Sequence, residues 1–139
     1  MKKHLILSSV LGASGVALGA LGAHALKAKI STGEINYDQL SAFDTATKYQ
    51  LLHALLLFIL TVFMQNNNSK WLRYSFNLIF YGVLCFSVSI YFLSTKGITG
   101  LSHLKWLGPI TPVGGLLMIA GWICVFIAAI KMEKNEKQL

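Results

Sequence analysis

Four stretches of this chain, Leu5–Ala23, Tyr49–Met64, Trp71–Leu93 and Leu107–Ile130, contain no Asp, Glu or Lys, and their only arginine is Arg73, near the start of the third. A bilayer's hydrocarbon core is about 30 Å thick and needs about 20 apolar residues per helical crossing. The second stretch is short of that. Ser41 followed three residues later by Asp44 extends it backwards, as a capping-box pattern that predicts a helix start near Ala42. The pattern predicts an all-α fold, an integral membrane four-helix bundle in a single domain over 1–139, with spans at 5–23, 42–64, 71–93 and 107–130 and an outer loop at 24–41. Composition excludes the water-soluble alternative. Only 12% of residues are charged and 55% are hydrophobic, whereas a soluble domain carries about 25% charged residues.

The first stretch is striped with glycine. At 100° per residue, Ser8, Gly12, Gly15, Gly19 and Gly22 fall within an arc of roughly 80°, which leaves one helix face nearly bare. Such faces let membrane helices approach closely. Gly82, with Cys85 and Ser89, marks a second small-residue line in the third span, and Gly114, Gly115 and Gly121 mark one in the fourth. A rival reading takes Met1–Ala25 as a secretory signal, with Lys2 and Lys3 as its basic start and Ala23-His24-Ala25 as a small-x-small cleavage site. The one-sided glycines favour a retained packing helix, because a discarded segment needs no such face.

The net charge of +7 does not point to nucleic acid, since no run of five or six basic residues occurs. Topology accounts for it better. If the spans cross in turn, both termini share one side with Lys2, Lys3, Lys70, Arg73, Lys131, Lys134 and Lys137. Lys27, Lys29, Lys48, Lys96 and Lys105 lie on the other, with Glu34, Asp38 and Asp44 in the first outer loop. The excess of basic residues places the termini in the cytoplasm. Ser31-Thr32-Gly33 reads as a break in that loop, and Asp44 and Lys48 are spaced to pair on a helix surface. Pro109 or Pro112 suits the first turn of the fourth helix.

The principal polar cluster belongs to the second span. Thr45, Tyr49 and His53 recur at i+4, with Gln50 three residues before His53. Polar groups inside a membrane span turn toward the bundle and seek partners there. Tyr49, Gln50 and His53 are therefore expected to hydrogen-bond to the first helix near His24 and hold the bundle in register; a ligand or proton site is the sharper alternative. His24, His53 and His103 share the outer end, but no i, i+4 histidine pair or neighbouring carboxylate supports a metal, and no cofactor is expected. Cys85 and Cys124 lie at different depths, too far apart for a disulfide.

Three separated motifs carry a likeness: Gly19-Ala20-Leu21-Gly22-Ala23-His24-Ala25-Leu26; Phe43 with Tyr49-Gln50-x-x-His53-Ala54-Leu55; and Thr111-Pro112-x-Gly114-Gly115 with Gly121-Trp122. In order, they resemble the DUF423 family, which takes in the bacterial UPF0382 proteins and is related to the eukaryotic transmembrane protein 256. The resemblance implies a four-helix protein of the bacterial plasma membrane and implies no activity.

No Ser/His/Asp arrangement or paired carboxylate supports an intramembrane enzyme. The reading is a non-catalytic accessory or structural membrane component, whose partners are the lipid bilayer and either a second copy or another membrane protein. The alternative is a small oligomeric transporter or pore that uses Tyr49, Gln50 and His53.

Overall fold

In the computed structural model, residues 2–100 and 106–136 are described, with side chains to 132. Four helices long and apolar enough to cross a membrane dominate it: Lys2–Leu26, Tyr37–Asn66, Lys70–Ser94 and the apolar part of Ile110–Glu136. They are called here the first to fourth helices. A single helical turn, Lys96–Thr99, follows the third. Among the described residues there is no strand.

Bare backbone sets how the helices nest. On the first helix, Gly12 faces Ala54, Gly15 faces Leu51, Gly19 faces Thr47 and Gly22 faces Phe43. The numbers fall on one helix as they rise on the other, so the pair runs antiparallel. A methyl group at Gly15 would come within 2.8 Å of Leu51 Cδ2. The third and fourth helices lie closer still. A methyl group on Gly114 would strike the backbone nitrogen of Phe86 and come within 2.7 Å of the Gly82 oxygen. One on Gly121 would strike the Ile79 side chain, whereas Gly115 meets nothing within 4 Å.

The second and third helices form the central pair. Their Leu57, Phe76, Ile79 and Val83 are buried, and Leu11 and Met118 join them from the first and fourth. The outer two helices share at most a marginal contact with each other among the described residues. Leu52, Leu55, Val62, Leu116, Ile119 and Phe126 point outward. In water such a surface would be an aggregation liability. Lipid tails, being as apolar as these side chains, remove that cost.

Several boundaries differ from the sequence reading. The second helix starts at Tyr37, capped by Asn36 and Gln39, and Ser41 and Asp44 lie inside it. Asn36 Oδ1 accepts from the Gln39 N–H at 2.8 Å, and Gln39 Oε1 accepts from the Asn36 N–H at 2.9 Å. This reciprocal pair satisfies two donors at the helix start. At 30 residues the helix is about 45 Å long, so it outreaches the hydrocarbon core. The first helix persists to Leu26, so the outer loop is shorter than 24–41. Its turn ends at Gly33, whose φ of 73° suits glycine. The fourth helix begins at Ile110 rather than Leu107, with Pro112 in its first turn. Two π-turns, Gly22–Leu26 and Leu84–Val88, interrupt the first and third helices.

The end of the bundle that holds the loop between the first and second helices is closed by a small cluster of Leu26, Ile35 and Phe43, with Tyr91 and Ile98 against it. Gly97 is pressed onto the carbonyl of Glu34. The two interhelical segments at this end thus meet.

Candidate functional site: buried polar latches between the helices

Gln50 sits at the junction of three helices and is 4% exposed. Its Nε2 donates to the Leu11 carbonyl and to Ser14 Oγ, each at 2.9 Å, both on the first helix. Its Oε1 accepts from the Tyr91 hydroxyl of the third helix at 2.8 Å. Gly15 makes the first of these reachable. A methyl group there would press to 3.4 Å from Gln50 Nε2. The primary amide thus uses both its donor and its acceptor ends across helix boundaries.

His53 turns elsewhere. Its Nδ1 lies 2.8 Å from the Tyr49 carbonyl, which can only accept, so Nδ1 carries the proton. Nε2 is then free to accept, and the Trp122 indole of the fourth helix donates to it at 3.4 Å. Tyr49 stacks on the His53 ring with centroids 5.9 Å apart and is itself 42% exposed. Thr45 is exposed and bonds the Ser41 carbonyl of its own helix.

Two further latches complete the set. Ser87, in the π-turn of the third helix, donates to the Ala46 carbonyl at 3.0 Å. Ser89 and Thr111 share a hydrogen bond of 2.7 Å between the third and fourth helices. The first–second, second–third and third–fourth pairs are therefore each joined by at least one buried or half-buried polar contact.

The expected cluster divides. Gln50 reaches the middle of the first helix, at Leu11 and Ser14, and not its end near His24. His24 is exposed in the π-turn and joins neither group. His103 lies outside the described residues. Cys85 and Cys124 are free thiols. Sequence reasoning passed over Tyr91, Ser14 and Ser87. The i, i+4 spacing of Ser87 and Tyr91 on one face of the third helix was the available signal.

Of the latch residues, Gln50, His53, Thr111 and Trp122 are among those that carried the family likeness, and Ser14, Ser87, Ser89 and Tyr91 are not. The family model described as a protein of unknown function (DUF423) matches residues 18–115. The chain belongs to the DUF423 family. A UPF0382 membrane protein of Staphylococcus aureus (strain bovine RF122 / ET3-1) is 40% identical over 133 residues, covering 94% of this chain and 98% of its own. A UPF0382 inner membrane protein, YgdD of Escherichia coli (strain K12), is 35% identical over 131 residues, covering 94% of this chain and 92% of its own. No solved structure matches this DUF423 chain. It is a membrane protein with four apolar helices, like the relatives so named.

Proposed function

We propose that this chain is a non-catalytic component of the bacterial plasma membrane, an accessory or structural protein that packs against a second copy or another membrane protein. One observation carries the reading: the buried amide of Gln50 is engaged at both ends by other helices. A group so committed holds helices together and offers nothing to a substrate. The termini are assigned to the cytoplasm. Support comes from His4, which packs edge-on against Phe76 at 4.4 Å, and from Lys131, whose ammonium lies 4.9 Å from the Trp71 ring centroid. His4 near the start of the first helix and Lys131 near the end of the fourth thereby lie by the start of the third, where Lys70 and Arg73 add basic charge, and this supports the reading.

The test reconstitutes wild-type, Gln50→Leu and His53→Leu proteins into vesicles that enclose a pH-sensitive dye. Scaffolding predicts lower thermal midpoints for both variants and the same dye response for all three. A proton flux present in the wild type and lost in a variant whose midpoint is unchanged would instead establish the transporter reading.

A further inference from the structure

The end of the bundle that holds Lys70 contains a cavity of about 420 Å³ that the latches do not touch. Ser69, Lys70 and Trp71 from the start of the third helix line it, with Ala128, Lys131 and Met132 from the end of the fourth. Two ammonium groups converge on one indole: Lys131 Nζ is 4.9 Å and Lys70 Nζ 5.9 Å from the Trp71 ring centroid. Among the described residues neither lysine has a carboxylate within ion-pair distance. Trp71 Nε1 is buried and has no hydrogen-bond partner, an unfavourable state for a donor removed from water. Ser69 leaves the first turn of the third helix without a side-chain cap, so backbone N–H groups also open there.

Two cations, an orphan donor and an uncapped helix start are each improved by the same thing, an anion with several acceptor oxygens. Position selects its source. The cavity lies where two membrane spans end, and its Trp71, Ala128 and Met132 walls are apolar, as a group attached to an acyl chain requires. We propose that this cavity binds the phosphate of an anionic phospholipid headgroup. The lysines favour a net negative headgroup over a zwitterionic one, because a choline cation would meet two ammonium groups. The tryptophan ring aligns both lysines through cation–π contact and supplies an N–H to a phosphate oxygen.

Native mass spectrometry of the full chain in mild detergent, titrated with phosphatidylglycerol, phosphatidylcholine or inorganic phosphate, tests this. One saturable phosphatidylglycerol per chain is expected, with phosphatidylcholine and phosphate weaker by about tenfold or more. The double substitution Lys70→Gln and Lys131→Gln should weaken phosphatidylglycerol by at least about tenfold. The double substitution Lys2→Gln and Lys3→Gln, equal in charge and at the same end, should leave it within about twofold. Trp71→Phe keeps an aromatic ring but removes the N–H and weakens both cation–π contacts, and should cost about tenfold. Equal loss in both lysine pairs would reduce the effect to general surface charge and overturn the proposal. Equal binding of phosphatidylcholine, or saturation by inorganic phosphate alone, would overturn it too. If the cavity lysine pair does not fold, Trp71→Phe decides alone, and unchanged phosphatidylglycerol binding refutes the site.

Discussion

The hydroxyl of Tyr91 donates to Oε1 of Gln50 at 2.8 Å, joining two residues 41 positions apart while the same amide's Nε2 holds the first helix. Gln50→Leu removes three interhelical hydrogen bonds at once; Tyr91→Phe removes the one to Gln50 and a longer one to Thr47 Oγ1 at 3.4 Å. Interhelical hydrogen bonds in membranes average about 0.6 kcal/mol and reach about 1.7 kcal/mol. The leucine variant should therefore lose about 1–3 kcal/mol in a reversible detergent unfolding titration, and the phenylalanine variant about 0.5–1 kcal/mol. The double variant should lose less than the sum, because the Tyr91 bond is already absent once Gln50 is gone. Full additivity would show that the two residues do not act through each other.

What could be read in the residues and what could not has a physical basis. The bare face of the first helix was legible because helical periodicity alone decides which side chains share a face, and Gly12, Gly15, Gly19 and Gly22 turn that face to the second helix. The partner of Gln50 was not, because it depends on the antiparallel register, and register is fixed by tertiary fits such as Leu51 against Gly15. The start of the second helix was misplaced because two capping patterns lie five residues apart, Asn36-x-x-Gln39 and Ser41-x-x-Asp44, and only the first combines an amide cap with an amide reaching back. The π-turns have no local signature at all. The one at Leu84–Val88 lets Ser87 reach Ala46 where the Phe86 backbone meets Gly114, a demand made by three helices at once.

Adjacent glycines in the fourth helix should respond oppositely to one methyl group. At Gly114 the added carbon strikes the third helix backbone, which cannot yield as a flexible side chain can. Gly114→Ala should then cost about 1–3 kcal/mol, the range for overpacking. At Gly115 nothing lies within 4 Å, so alanine should be neutral or gain up to about 1 kcal/mol from helix propensity. Thermal midpoints of the two variants in one detergent check this. Equal midpoints would mean that the third and fourth helices are farther apart than described.

Asn36→Ala opens the capping box at the start of the second helix. The Gln39 N–H loses its acceptor, at a cost of about 1 kcal/mol for a cap of this type. The change is local, because the helix is held further along by Phe43, Ala46 and Gln50, all buried. Hydrogen exchange should quicken over residues 37–41 and stay constant beyond Phe43. Uniform quickening along the helix would show that the cap and the buried face form one cooperative unit.

The loop before that cap should loosen with acid. Glu34 Oε1 accepts from Lys29 Nζ at 2.9 Å and from Thr32 Oγ1 at 2.9 Å. The Lys29 hydrogen bond, then that of Thr32, hold its carboxyl below the ordinary glutamate value of 4.5. A carboxylate whose folded value is lowered contributes order that is fully present above 4.5 and is lost as pH falls through the lower folded value. Exchange protection over 27–36, corrected for intrinsic rates, should therefore be flat from neutral pH down to that region and drop below it. Lys29→Met should flatten the profile and lower protection at neutral pH. Asp44 and Lys48, an exposed i, i+4 pair at 2.6 Å, lie outside the loop and leave this profile unchanged. An acid transition that persists in the Lys29→Met protein would assign it to another carboxylate and remove the Glu34 clamp from the account of the loop.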